Sequence, residues 1–144
     1  MFTTKCFIRK NTPELRGKLK KMGYQVCHCA EGATAVFLMA VEGDIHAVHY
    51  EELDIFADEV KSGTCKLIDC GDNEQLFLAL AAMRDDTDND QLFTNGIDWA
   101  WFRDDTDKGG LAGFDFYYLQ RDMDTPLHKA TIEEIMNCFQ TPIA

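Results

Sequence analysis

FIRKNTPELRGKLKKMGYQVC, residues 7–27, reads as strand, helix, strand. Phe2 to Arg9 alternates loosely between apolar and polar side chains, the period of a half-buried strand. A helix is expected from Thr12 or Pro13 to Met22, with Asn11 and Glu14 at capping-box spacing, proline in the first turn and Gly23 at the stop. Leu15, Leu19 and Met22 form its apolar stripe, while Arg16, Lys18, Lys20 and Lys21 occupy the remaining arc. Tyr24 to Cys29 then resumes strand character. The connection is just long enough for a right-handed crossover to a parallel neighbour.

Working outward, Thr34 to Val41 and Ile45 to Tyr50 are β-rich runs separated by Glu42-Gly43-Asp44, a hairpin signal. Leu53, Phe56, Ala57 and Val60 have helical spacing and run to Gly63. Lys66 to Cys70 is a compact strand, followed by a helix over Asn73 to Met83 with Asp72 and Gln75 at capping-box spacing. Leu76 to Met83 is apolar all round, so this helix is expected to be buried on most sides. Gln91–Thr94 and Ile97–Arg103 flank Asn95-Gly96 and predict a hairpin; a short helix from Asp88 to Gly96 is the competing reading. Gly113 to Gln120 is a further aromatic strand. In the last helix Thr131 and Glu134 form a capping box, and Ile132, Ile135, Met136 and Phe139 the stripe. The expected architecture is one α+β domain over residues 1–144, with a mixed sheet, an opening β-α-β unit, hairpins in the second half and three to four helices.

Its 144 residues suffice for a core without disulfide staples, and 46% hydrophobic with 27% charged residues excludes a disordered or fibrous chain. No apolar run is long enough to cross a bilayer, and the first residues lack the apolar core of a signal peptide, so a cytoplasmic protein with reduced thiols is expected. Of the six cysteines only Cys27-His28-Cys29 is a cluster, and its spacing is not that of a zinc knuckle. The net charge of −11 conceals an asymmetry: residues 1–22 carry seven of the fourteen Lys and Arg against one acid, Glu14. An acidic body disfavours direct binding to nucleic acid or acidic membranes. The basic edge is suited to phosphate, to an acidic partner, or to pairing with the body.

Arg-Asp-Asp-Thr-Asp occurs twice, at Arg84–Asp88 and Arg103–Asp107. Carboxylates this dense need solvent, basic neighbours or a hard cation. If the 91–103 hairpin forms, both copies lie at one sheet edge, and Asp85, Asp86, Asp88, Asp104, Asp105 and Asp107 become candidate ligands for Mg²⁺ or Ca²⁺. Two Mg²⁺ there would support phosphate-ester hydrolysis. The EF-hand template fails from Asp86, with Gln91 where glycine is required and Ile97 where glutamate is required. An imperfect third copy, Arg121–Thr125, is expected at the opposite edge. Arg9, Lys10, Asn11 and Thr12 join a strand to a helix N-terminus and are a candidate anion site, though no glycine is present to wrap the anion. Arg16, Lys20, Trp99 and Trp101 are candidate interaction residues. His46 and His49 point to opposite faces of a strand, while Asp44 and His46 share one.

Three segments carry a resemblance: Phe7–Arg16 through Gly23-Tyr24, then Leu76–Thr94 (LFLALAAMRDDTDNDQLFT), and His128–Phe139 (HKATIEEIMNCF). Together they resemble small proteins carried on phage-like and mobile elements of gut bacteria, a group with no assigned activity. The resemblance implies a bacterial cytoplasm and carries no chemistry. It covers the first Arg-Asp-Asp-Thr-Asp and not the second. No complete catalytic constellation can be assembled from the polar residues, so the leading expectation is a non-enzymatic module that binds a protein through its basic first helix or its aromatic hairpins. The alternatives are a metal-dependent phosphoesterase or nuclease-like enzyme using the aspartates, and an acidic mimic of nucleic acid. Nothing in the sequence fixes an oligomeric state.

Overall fold

The computed structural model describes residues 5–27, 36–49, 51–52, 58, 62, 67–104, 106, 109–118 and 125–139, with the backbone alone at 116–118, 136 and 139. The fold is α+β. In chain order the elements are β1 (Lys5–Ile8), α1 (Pro13–Lys21), β2 (Gln25–Val26), β3 (Phe37–Val41), β4 (Asp44–Val48) and β5 (Leu67–Asp69). They continue as α2 (Glu74–Ala81), β6 (Leu92–Thr94), β7 (Trp99–Asp104), β8 (Ala112–Tyr118), β9 (His128–Lys129) and α3 (Ile132–Phe139). The helix expected over Leu53, Phe56, Ala57 and Val60 lies outside the described residues. Among the described residues no helix is long and apolar enough to cross a membrane.

The strands form two sheets, where the sequence suggested one. The first has the order β2-β4-β3-β1-β5; β1 is antiparallel to β3 and parallel to β5, and β2 is parallel to β4. β1 and β2 therefore run the same way, as a β-α-β unit requires, but they are not neighbours. The β3–β4 hairpin lies between them. Phe37 to Ala40 are all buried, which suits β3 to the centre, whereas the short β2 remains at the edge. The hairpin closes directly through Glu42 (φ +48) and Gly43 (φ +91), with Val41 opposite Asp44, so both turn residues adopt the left-handed backbone of a two-residue turn.

Alternation along these strands separates two faces. Cys6, Ile8, Leu38, Ala40, Ile45 and Ile68 belong to the main core with residues of all three helices, while Phe7, Phe37, Met39, Val48 and Leu67 form a second cluster. In α1, Leu15 and Leu19 are buried and the remaining helix is polar. Its N-cap is Thr12, whose hydroxyl accepts the Leu15 N–H at 3.2 Å; the expected cap, Asn11, instead accepts from Arg16. The reason is Pro13: the residue before proline is driven out of the helical region, and Thr12 sits at φ −122, ψ 152. At the other end the Tyr24 N–H reaches the Leu19 carbonyl and the Gly23 N–H the Lys20 carbonyl, a Schellman closure with Gly23 at φ +95.

The Asp72 cap expected for α2 is likewise displaced by one residue, to Asn73, which accepts the Leu76 N–H at 3.1 Å. Leu76 to Ala82 are all buried, so the helix is enclosed on most sides as its sequence predicts. The second sheet has the order β8-β7-β6-β9 and is antiparallel throughout. β6 and β7 pair as expected, but residues 95–98 form a longer loop in which the Asn95 side chain accepts from the N–H groups of Ile97 (2.9 Å) and Asp98 (2.7 Å). The capping box of α3 is complete: the Thr131 hydroxyl accepts from the Glu134 N–H at 3.2 Å, and the Glu134 carboxylate from the Thr131 N–H at 3.0 Å.

α1 and α2 are joined by charge. Glu74 accepts from Lys18 at 2.7 Å and from Lys10 at 3.3 Å. Partial burial opposes its ionisation, but the two ammonium groups outweigh it and hold the carboxyl below its usual range. A depressed folded-state value means the stabilisation is complete above the ordinary carboxylate range and is lost as pH falls through the lower folded value. Glu74→Gln is therefore expected to be about 0.5–1 kcal/mol less stable than the wild type at neutral pH, with the difference shrinking as pH falls below the ordinary carboxylate range, as read from urea unfolding across pH.

Candidate functional site

The hairpin brings Asp104, in the second acidic segment, beside the first acidic loop. Asp90 donates its backbone N–H to the Phe102 carbonyl at 2.9 Å, Phe102 returns a bond to the Gln91 carbonyl at 2.9 Å, and the Asn89 side chain accepts the Asp104 N–H at 2.9 Å. A shared location does not give the copies shared contacts. In the first copy Arg84 grips Asp86 with two bonds (2.8 and 2.5 Å) and donates to the Met22 carbonyl at 3.1 Å, fastening the loop to the end of α1. In the second, Arg103 pairs with Asp115 on β8 at 3.1 Å and lies 4.1 Å above the Trp101 ring, and Asp104 accepts from the Thr106 hydroxyl and N–H. Those contacts hold the Asp86 and Asp104 carboxyls below their ordinary values, through Arg84 and through Thr106 respectively.

Of the six proposed metal ligands, Asp105 and Asp107 lie outside the described residues, as does Arg121–Asp124 of the third copy. Asp85, Asp86, Asp88 and Asp104 are described, and no three His, Cys, Asp or Glu side chains converge among the described residues. A protein cation stands in the first loop instead. The Lys129 ammonium, arriving from β9, donates to the carbonyls of Arg84 and Thr87 (the latter at 2.7 Å) and lies 3.7 Å from the Asp88 carboxylate. Two carbonyls and a carboxylate around one cation resemble a hard-metal site with ammonium in place of the ion. Sequence reasoning missed Lys129 because its partners are more than forty residues away.

The candidate anion site is committed internally. Arg9 pairs at 2.6 Å with Asp69, which is 3% exposed and also accepts the Gly71 N–H at 2.8 Å. Lys10 holds Glu74, Asn11 accepts from Arg16, and Thr12 caps α1. The basic segment thus pairs in part with the acidic body. Trp99 and Trp101 are 5% and 2% exposed and face the main core, so they leave little surface for a partner. On the opposite face of that sheet Phe93, Phe102 and Phe114 form a triangle with centroids 5.2 to 6.1 Å apart.

The burial of Trp101 leaves its indole N–H without an acceptor among the described residues. The same residue lines a cleft of about 510 Å³ between the end of α1 and the acidic loops. Lys18, Lys21 and Met22 form one wall, Leu78 and Trp101 contribute apolar surface, and Asn89, Asp90, Arg103 and Asp104 form the other wall. Lys20, in the same turn of α1 but outside the cleft lining, is exposed and makes no ion pair among the described residues. A volume of this size suits a small molecule or a few side chains of a partner.

Replacing Lys129 with methionine retains most of its apolar stem while leaving the Arg84 and Thr87 carbonyls without their donor. The expected cost is about 1–3 kcal/mol in urea unfolding, accompanied by faster proteolytic nicking within residues 84–90. Unchanged stability and nicking would show that the ammonium does not organise the loop. Compared with family models, curated proteins and solved structures, the chain finds no match.

Proposed function

We propose that the protein is a non-enzymatic binding module that takes an acidic protein segment along the C-terminal half of α1 and into the adjoining cleft. The observation that supports this reading is the placement of Lys18, Lys20 and Lys21 in the last turn of a helix that borders the cleft. An acidic segment laid there gains charge attraction at the rim and apolar contact with the half-buried Met22. Arg16 lies on the same helix, but its bond to Asn11 makes it a support for the helix entry. With the tryptophans buried, the basic helix carries the reading without the aromatic hairpins. A bacterial cytoplasm, suggested by the sequence resemblance, is part of the same proposal.

A fluorescein-labelled glutamate-rich peptide, titrated with the intact protein at low and moderate salt, tests it by anisotropy. Binding is expected in the micromolar to millimolar range, weakening with salt, and the double reversal Lys20→Glu/Lys21→Glu is expected to reduce affinity about tenfold or more. No binding at millimolar protein, or binding indifferent to the reversal, would rule the reading out.

The metal-dependent hydrolase reading draws support from the placement of Asp104 beside the first acidic loop. Lys129 competes for the first of them. Isothermal titration with Mg²⁺, Mn²⁺ and Ca²⁺ separates the two readings: the binding-module reading expects no heat of binding at millimolar metal, whereas a saturable site would favour the hydrolase.

A further inference from the structure

Cys27 and His46 form a thiol–imidazole pair at the open edge of the first sheet. β2 is an edge strand, and its parallel register with β4 sets Gln25 beside Asp44 and Val26 beside Ile45. The Cys27 N–H continues the ladder by donating to the Ile45 carbonyl at 3.2 Å. The Cys27 Sγ then lies 3.7 Å from the His46 Nδ1, on the face opposite Val26 and Ile45. With the ring proton on Nε2, Nδ1 accepts from the thiol. Both side chains are only partly buried, so a small reagent can reach them. The other described thiols differ. Cys6 and Cys70 are enclosed in the core, and Cys138 is exposed with no imidazole contact among the described residues.

We propose that Cys27 is a nucleophilic thiol, readied by His46, at which the protein exchanges with small-molecule disulfides to form a mixed disulfide. The thiol proton passes to Nδ1, leaving thiolate beside imidazolium. The thiolate attacks one sulfur of the incoming disulfide; the new S–S bond forms as the old one breaks, and the departing thiolate takes a proton from the imidazolium or from water. One disulfide is consumed and one formed, so no other oxidant is required. Asp44 lies two residues before His46 on the same side of β4, and the flanking Gln25 on β2 and Met39 on β3 are uncharged. Desolvation raises the thiol pKa values of Cys6, Cys70 and Cys138 and disfavours their thiolates.

The test uses the full, reduced chain with the aromatic disulfide dithiobis(nitrobenzoate) at neutral pH, following thiolate release and locating the modified cysteine by peptide mass. One fast thiol is expected, at Cys27, reacting about tenfold or more faster than Cys138 in the same molecule. Cys27→Ser should remove the fast phase, and His46→Gln should lower the Cys27-to-Cys138 rate ratio about tenfold, an internal reference that a general loss of structure would not mimic. Oxidised glutathione in place of the aromatic reagent should give the mixed disulfide at the same residue. The proposal fails if Cys27 reacts no faster than Cys138, if the fast thiol maps to Cys29 or Cys65, or if His46→Gln leaves the ratio unchanged. Should a variant fail to fold, the wild-type ratio alone decides.

Discussion

The main core is arranged around a helix, α2, that is apolar on every side beyond its first turn. Leu76, Phe77, Leu78, Ala79, Leu80 and Ala81 are all at most 4% exposed, and each large side chain among them gains roughly 1.5–3 kcal/mol on leaving water. A single sheet can cover only one flank of such a helix. The core that encloses α2 therefore draws on Cys6, Ile8, Leu38 and Ile68 from the first sheet and on Leu92, Trp99 and Trp101 from the second, with Leu15 and Leu19 of α1 and Ile135 of α3. The requirement to cover α2 explains why the tryptophans turn inward. It also explains why Gln91, 2% exposed, donates its side-chain amide to the Ala82 carbonyl: the end of α2 lies in apolar surroundings and its unpaired carbonyl needs a donor.

The charged residues follow from that enclosure. With α2 offering no polar surface beyond its first turn, Glu74 is where α1 can be tied to it, and Lys10 and Lys18 both converge there. The strong positive character of residues 1–22 is thus partly an internal matter, satisfied by Glu74 and by Asp69. Lys18, Lys20 and Lys21 stand in the last turn of α1, where cations also complement the negative end of the helix dipole.

Helices and hairpins were legible because their signals are local. The apolar run 76–83, the Glu42-Gly43 turn and the Thr131–Glu134 capping box each depend on residues within a few positions of one another. Both misplaced caps fell where two cap-forming residues stand side by side, Asn11-Thr12 and Asp72-Asn73. At the first the decisive signal was present in Pro13, whose ring restricts Thr12 and not Asn11. The division into two sheets was not legible, because strand periodicity reports which face is buried and not which strand lies alongside. For the same reason Thr94 and Trp99, read as ordinary hairpin residues, conceal a loop whose length is set by the Asn95 side chain.

The repeated pentapeptide shows how little a local match specifies when the neighbours differ. Arg84 leaves a helix end with the Met22 carbonyl within reach, so its guanidinium folds back on Asp86 and bridges to α1. Arg103 belongs to a strand whose partner offers Asp115 and whose own side chain two residues earlier is Trp101, so its guanidinium turns to these instead. The aspartates next to the two arginines differ in consequence, since Asp85 is exposed while Asp104 organises the Thr106 turn. Among the described residues the two copies thus make different hydrogen bonds, and the identity that persists is electrostatic. Both loops add negative charge to one end of the second sheet, and that charge is met from outside the repeat, by Lys129 on β9 and by the basic end of α1 across the cleft.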